Sequence, residues 1–125
     1  LSLVAISTVS LVVSGLGVMT VMSASVTERI REIGIKKAIG AKNHAILWEF
    51  VLEGFLLSIS GTILGLVTGQ GIGWSVCRIL GVDYQSDPGL LAIGAGITIL
   101  LGTIFSAKPA IQAAQLDPVK ALASE

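Results

Sequence analysis

Three stretches without a single Asp, Glu, Lys or Arg dominate this 125-residue chain: Leu1 to Ala24, Gly54 to Cys77 and Pro88 to Ala107, of 24, 24 and 20 residues. A helix rising 1.5 Å per residue needs about 20 apolar residues to cross a ~30 Å hydrocarbon core, so each stretch is long enough for one span. Charged residues make up 13% of the chain and hydrophobic ones 53%, with a mean hydropathy of +0.88. An ordinary soluble domain carries about 25% charge, which all but excludes a water-soluble monomer. The expected fold class is all-α: a polytopic membrane protein with transmembrane helices over about 1–24, 54–77 and 88–107, joined by a segment 25–53 and followed by a tail 108–125. These remaining pieces are too short for a separate soluble core.

The basic residues orient the spans. Arg29, Arg31, Lys36, Lys37 and Lys42 fall between the first two spans and Lys108 and Lys120 in the tail, seven in all, against Arg78 alone in the loop 78–87. The positive-inside rule places 25–53 and the tail in the cytoplasm, and three spans then put residue 1 outside. Trp74 and Tyr84 fall at the outer boundary, Trp48 and Phe105 at the inner one, although Phe105 serves equally as bundle filling. The chain starts at Leu1 without a basic leader, and its first apolar run is too long and too rich in serine for a signal peptide. It reads as part of something larger. The single Cys77 has no partner for an intrachain disulfide.

Gly61, Gly65, Gly69 and Gly73 recur every four residues in the second span, with Gly54, Ser58 and Gly71 near the same stripe. Such spacing makes one slowly drifting helix face on which another helix can approach closely, from this chain or from a second copy. No ionisable residue lies in the middle of a span, where carriers driven by ions usually keep one.

In the segment 25–53, Ser25-Val26-Thr27-Glu28 has the form of a capping box, although the first helix could equally run through it. Glu28 with Arg31 and Glu32 with Lys36 have spacings that support an exposed helix. Gly40 marks a helix end and Asn43 a cap for the next helix. Val26, Ile30 and Ile33 share one side while Ile35, Ala38 and Ile39 fall opposite, with Gly34 at the switch, so the helix has two neighbours or bends at Gly34. An amphipathic helix on lipid headgroups and a protein docking surface satisfy this pattern alike. Glu49 and Glu53 suit the opening turns of the second span. In the tail, Asp117 and Pro118 form a helix start, and Pro109 is expected to do the same one segment earlier, giving a short helix that lies under the membrane or braces the helix of the segment 25–53.

The run from Thr27 to Ala41, TERIREIGIKKAIGA, followed by Phe50-x-x-Glu53 and the glycine ladder, resembles the FtsX-like permease domain of MacB-type ABC transporters. The tail, from Pro109-Ala110 through Ala113-Ala114 to Leu116-Asp117-Pro118-Val119-x-Ala121-Leu122, is similar to that family's ending. Gln112 and Gln115 stand where arginine is frequent, and Lys108 where an apolar residue is commoner. The resemblance implies a four-span subunit with a large extracytoplasmic domain after its first span, of which this chain holds spans two to four. It further implies that Glu28, Arg29, Arg31, Glu32, Ile33, Gly34, Lys36, Lys37, Ile39 and Gly40 belong to a coupling helix docked on an ABC nucleotide-binding domain. The implied location is the inner (cytoplasmic) membrane. The implied partners are that domain, a second permease copy or paralogue, membrane lipid and an extracytoplasmic partner.

The chain has no Gly-Lys dipeptide, hence no Walker A loop, so no enzymatic activity is expected of it and ATP hydrolysis falls to a separate domain or subunit. The lone His44 with Glu49 and Glu53 offers too few donors for a metal, no cofactor is expected, and a net charge of zero gives no footprint for nucleic acid. The expected function is a permease subunit that transmits ATP-driven motion across the membrane to export or extract a substrate. The alternative is a non-transporting, ATPase-linked scaffold that signals to or activates an extracytoplasmic partner. A self-assembling pore would want more polar residues along one face than Ser2, Ser7, Ser10 and Ser14 supply.

Overall fold

The structure, a computed structural model, describes residues 1–123 as five helices: α1 Ser2–Glu28, α2 Ile30–Ala38, α3 Asn43–Leu80, α4 Pro88–Ala114 and α5 Pro118–Ala123. Three of them, α1, α3 and α4, are long and apolar enough to cross a membrane. The all-α, multi-pass architecture expected from the charge-free runs is therefore what the chain adopts. The expected tail 108–125 is described only as far as residue 123, and its last two positions lie outside the described residues.

The helices run past the charge-free limits in every case. Helix α1 continues through Ser25 to Glu28, so Ser25 caps nothing, and Thr27 Oγ1 donates back to the Ser23 carbonyl at 2.9 Å as an interior helical threonine does. The break falls at Arg29, whose φ of −104° and ψ of 11° leave the α region. Gly34 is a buried residue inside a continuous α2, so the bend lies at Arg29 and not at Gly34. Helix α3 starts at Asn43, eleven residues ahead of the charge-free run. Its N-cap is Lys42 in extended backbone with no side-chain cap bond, and Asn43 is already helical, which corrects the expected Asn43 cap. Pro109 likewise starts nothing: it lies inside α4 and is fully buried, where packing offsets the backbone bond that a proline forgoes.

Two glycines end helices where a left-handed residue is needed. At Gly40, φ is +98°, its N–H bonds to the Lys37 carbonyl and the Ala41 N–H to the Lys36 carbonyl, both at 3.0 Å, which is a Schellman ending. Gly81, at φ +69°, closes α3, with the Val82 N–H on the Cys77 carbonyl. The loop that follows ends in Asp87-Pro88: Asp87 Oδ1 accepts the Gly89 N–H at 2.8 Å, and Pro88 takes the first helical position.

The core gathers at the end of the bundle that carries α2 and α5. Met22 and Val26 of α1, Ile33 of α2, Ile46 and Phe50 of α3, and Ala110 and Ala113 of α4 form one buried cluster, flanked by Val18, Ala41, Val51 and Leu116. Helices α3 and α4 are the most extensively paired, α1 packs mainly on α4, and α5 packs on α2.

Candidate functional site: a helical elbow at one end of the bundle

The seam between α3 and α4 explains why the bundle closes at this end. Gly54 lies against the side chain of Ser106, and Gly102 against that of Ser58, so each helix offers a hydroxymethyl knob to a glycine hole on the other. Close approach through small residues is the usual packing of membrane helices. The buried hydroxyls find acceptors on their own helices: Ser58 Oγ on the Gly54 carbonyl at 2.8 Å, Thr62 Oγ1 on Ser58 at 2.7 Å and Ser106 Oγ on Thr103 at 2.7 Å. Gly15 of α1 receives the ring of Phe105 in the same manner, which makes Phe105 bundle filling.

Beyond this contact the helices part. Among the described residues, no atom lies where a Cβ on Gly61, Gly65 or Gly69 would seek contact, and of the expected ladder only Gly73 meets a neighbour, the ring of Tyr84. Gly61 and Gly65 instead border a groove of about 240 Å³, closed on the α4 side by Leu90, Leu91, Gly94, Ala95 and Thr98. The packing partner of the ladder's inner continuation, Gly102-x-x-x-Ser106, was legible as a small-residue pair on α4, yet the serine hides it from a search for glycine alone.

Helix α2 is held in place by charge as well as by Ile33. Arg29 Nη1 lies 3.6 Å from Glu53 Oε2 and its Nε 3.7 Å from Glu32. Lys36 Nζ lies 2.8 Å from Glu49 and 3.2 Å from Glu32. Glu49 and Glu53 thus find their cations on α2. Lys36 is held above the ordinary lysine value of 10.5, first by its hydrogen bond to Glu49 and then by that to Glu32. Lys37 turns the other way and donates to the carbonyls of Ala114 and Leu116 at 2.5 and 2.6 Å. The expected Glu28–Arg31 pair is not among the ion pairs of the described residues; Arg29 takes Glu32 in its place.

The residues expected to act together therefore divide. Ile33 and Gly34 are buried, Arg29, Glu32 and Lys36 are engaged with one another and with α3, and Lys37 is engaged with α4. Glu28, Arg31, Ile35, Ala38, Ile39 and Gly40 remain exposed, with Ile35 at 48% and Ile39 at 81%. Positions 31, 35 and 39 follow one another at four-residue spacing along a single face. Asp117 Oδ1 accepts the Val119 N–H at 3.0 Å at the start of α5, with Pro118 its first residue. His44 stacks edge-on against Trp48 at 6.5 Å, and among the described residues no cluster of three His, Cys, Asp or Glu could hold a metal.

Three membrane-length helices around a small-residue seam, with an elbow helix fastened at one end, define an all-α multi-pass membrane domain. Residues 4–118 match the family described as FtsX-like permease C-terminal. The chain belongs to this family of ABC-transporter permease domains. It is 39% identical over 123 residues to the macrolide export ATP-binding/permease protein MacB of Bdellovibrio bacteriovorus, covering 98% of this chain and 19% of the relative. Against the protein of the same name from Acinetobacter baylyi it is 39% identical over 97% of this chain and 18% of the relative. It is also 41% identical to the uncharacterized ABC transporter permease YknZ of Bacillus subtilis, over 96% of this chain and 30% of the relative. The chain thus spans about a fifth of the MacB proteins and under a third of YknZ.

Proposed function

We propose that this chain is the membrane end of an ATP-driven ABC machine, lodged in the cytoplasmic membrane with α2 and α5 inside, and that the outward face of α2 docks on a nucleotide-binding domain. The observation that carries this reading is the two-sidedness of α2. Its inner side is fully engaged, through Ile33 in the core, Arg29 and Lys36 on α3 and Lys37 on α4, while Arg31, Ile35, Ala38 and Ile39 stand exposed on a helix that has no freedom to turn them inward. Two exposed isoleucines framed by charge suit a protein contact with an apolar centre and a polar rim. The seven basic residues at this end against one at the other favour the cytoplasmic orientation.

The nucleotide-binding domain is supplied by the same polypeptide or by a separate subunit, and its closure drives α2 and hence the spans. Gly61, Gly65 and Gly69, with no atom of the described residues where a Cβ would seek contact, suit a helix of a second permease copy. The test is co-purification of the ATPase with the full-length protein, together with transport, for Ile35→Asp and Arg31→Glu. Both substitutions touch only the exposed face, so insertion and thermal stability stay unchanged while ATPase recovery falls. Wild-type recovery for both removes the docking role. Retained ATPase coupling without any transported substrate favours the scaffold alternative.

A further inference from the structure

Lys37 stands apart from the other cations of α2. Its ammonium donates to two backbone carbonyls at the end of α4, that of Ala114, the last helical residue, and that of Leu116, just past the Gln115 C-cap. The last carbonyls of a helix lack partners within it and carry the negative end of its dipole, so a lysine placed there both satisfies acceptors and meets a favourable potential. The site is partly buried, and hydrogen bonds from an ionised donor are about twice as strong as neutral ones.

The polar ties between α2 and α3 are of another kind. They are ion pairs whose side chains are 37% to 45% exposed, a class whose measured contribution is small. Ile33 shares the apolar core with Ile46 and Phe50 of α3 as well as with Ala110 and Ala113 of α4, so the α4 side is set apart by the part-buried bonds of Lys37 and by α5, which follows α4 and packs on α2. The two polar attachments of α2 are therefore unequal.

We propose that Lys37 is a positioning residue that fastens the end of α4 to α2, so that α2, α5 and the end of α4 move as one body, and that it is not part of the face offered to the ATPase. The fastening itself is independent of the docking role; only the consequence, that a push on α2 reaches α4 before α3, rests on that reading.

The test uses the full-length protein in nanodiscs in a Cys77→Ser background, with spin labels at the exposed positions Ile39, the C-cap of α2, and Ile111 on α4. A second pair at Leu56 and Leu100 reports the α3–α4 seam. Lys37→Met, which keeps the methylene stem and removes the ammonium, broadens and lengthens the Ile39–Ile111 distance while leaving the Leu56–Leu100 distance unchanged, and Lys37→Arg restores the narrow distribution. ATPase recovery with Lys37→Met stays at the wild-type level. An unchanged Ile39–Ile111 distribution overturns the proposal, as does equal broadening of both pairs, which would mean general loosening. Loss of the ATPase with Lys37→Met at an unchanged distance would return Lys37 to the docking face. If Ile35→Asp in parallel leaves ATPase recovery intact, the docking reading fails while the distances still decide the fastening.

Discussion

Lys36 Nζ lies 2.8 Å from Glu49 Oε1 and 3.2 Å from Glu32 Oε1, so a single ammonium joins α2 to its own preceding turn and to the second turn of α3. Because both carboxylates raise its affinity for the proton above the ordinary value of 10.5, folding and protonation reinforce each other. The stabilisation is fully present below about pH 10.5 and is lost as pH rises through the raised value. The Lys36 contribution to thermal melts in detergent should therefore hold level from neutral pH to about 10.5 and then decline, with the decline reduced in Lys36→Met. At neutral pH that variant should lose under about 1 kcal/mol, since exposed pairs contribute little, and the difference should shrink at high salt.

Overpacking separates the two sets of small residues. Leucine at Gly54 or Gly102 must displace Ser106 or Ser58, and each should cost about 1–3 kcal/mol of bundle stability. Gly65→Leu meets open space within the chain and should leave the melt of the monomer unchanged. If it lowers the oligomeric state seen by mass photometry, the ladder packs on a second copy; an unaltered assembly would mean that it faces lipid.

The orientation is open to labelling in intact cells. A cysteine at Ser86 should react with an impermeant maleimide and one at Asn43 should not, in a Cys77→Ser background. Reversed labelling would turn the molecule over and move the exposed face of α2 to the outside.

Asp117 and Asp87 play the same part at two helix starts, each accepting the N–H two residues on. Alanine at either should cost about 0.5–2 kcal/mol, but the losses should appear in different places. Hydrogen exchange should rise in α5 for Asp117→Ala and in the first turn of α4 for Asp87→Ala, and a uniform rise would argue against a local capping role.

The spans were legible because lipid solvation acts on composition: absence of charge over 20 or more residues identifies them whatever they pack against. Gly40 was legible because a left-handed helix ending depends on local backbone alone. Asn43 and Pro109 misled for one reason. Their local preferences concern where a helix can begin, whereas tertiary burial of Ile46 and Phe50 carries α3 back to residue 43 and burial of Pro109 and Ala110 carries α4 through the proline. Glu28–Arg31 failed because the helix breaks at Arg29, between the two, so that they lie on different helices and their spacing no longer places them on one face. Lys37 was grouped with the expected coupling residues because its motif is contiguous, while its direction is set by where α4 ends.

The unbroken length of α3 has a consequence of its own. Its 38 residues extend ~57 Å at 1.5 Å per residue, against a hydrocarbon core of ~30 Å. The small-residue contact of Ser58 with Gly102 divides it into arms of ~22 Å towards Asn43 and ~33 Å towards Leu80. A rigid rod rocking on that fulcrum sweeps its longer arm through an arc about half as large again as its shorter one, so a small displacement at the Asn43 tip would reach the opposite water layer enlarged.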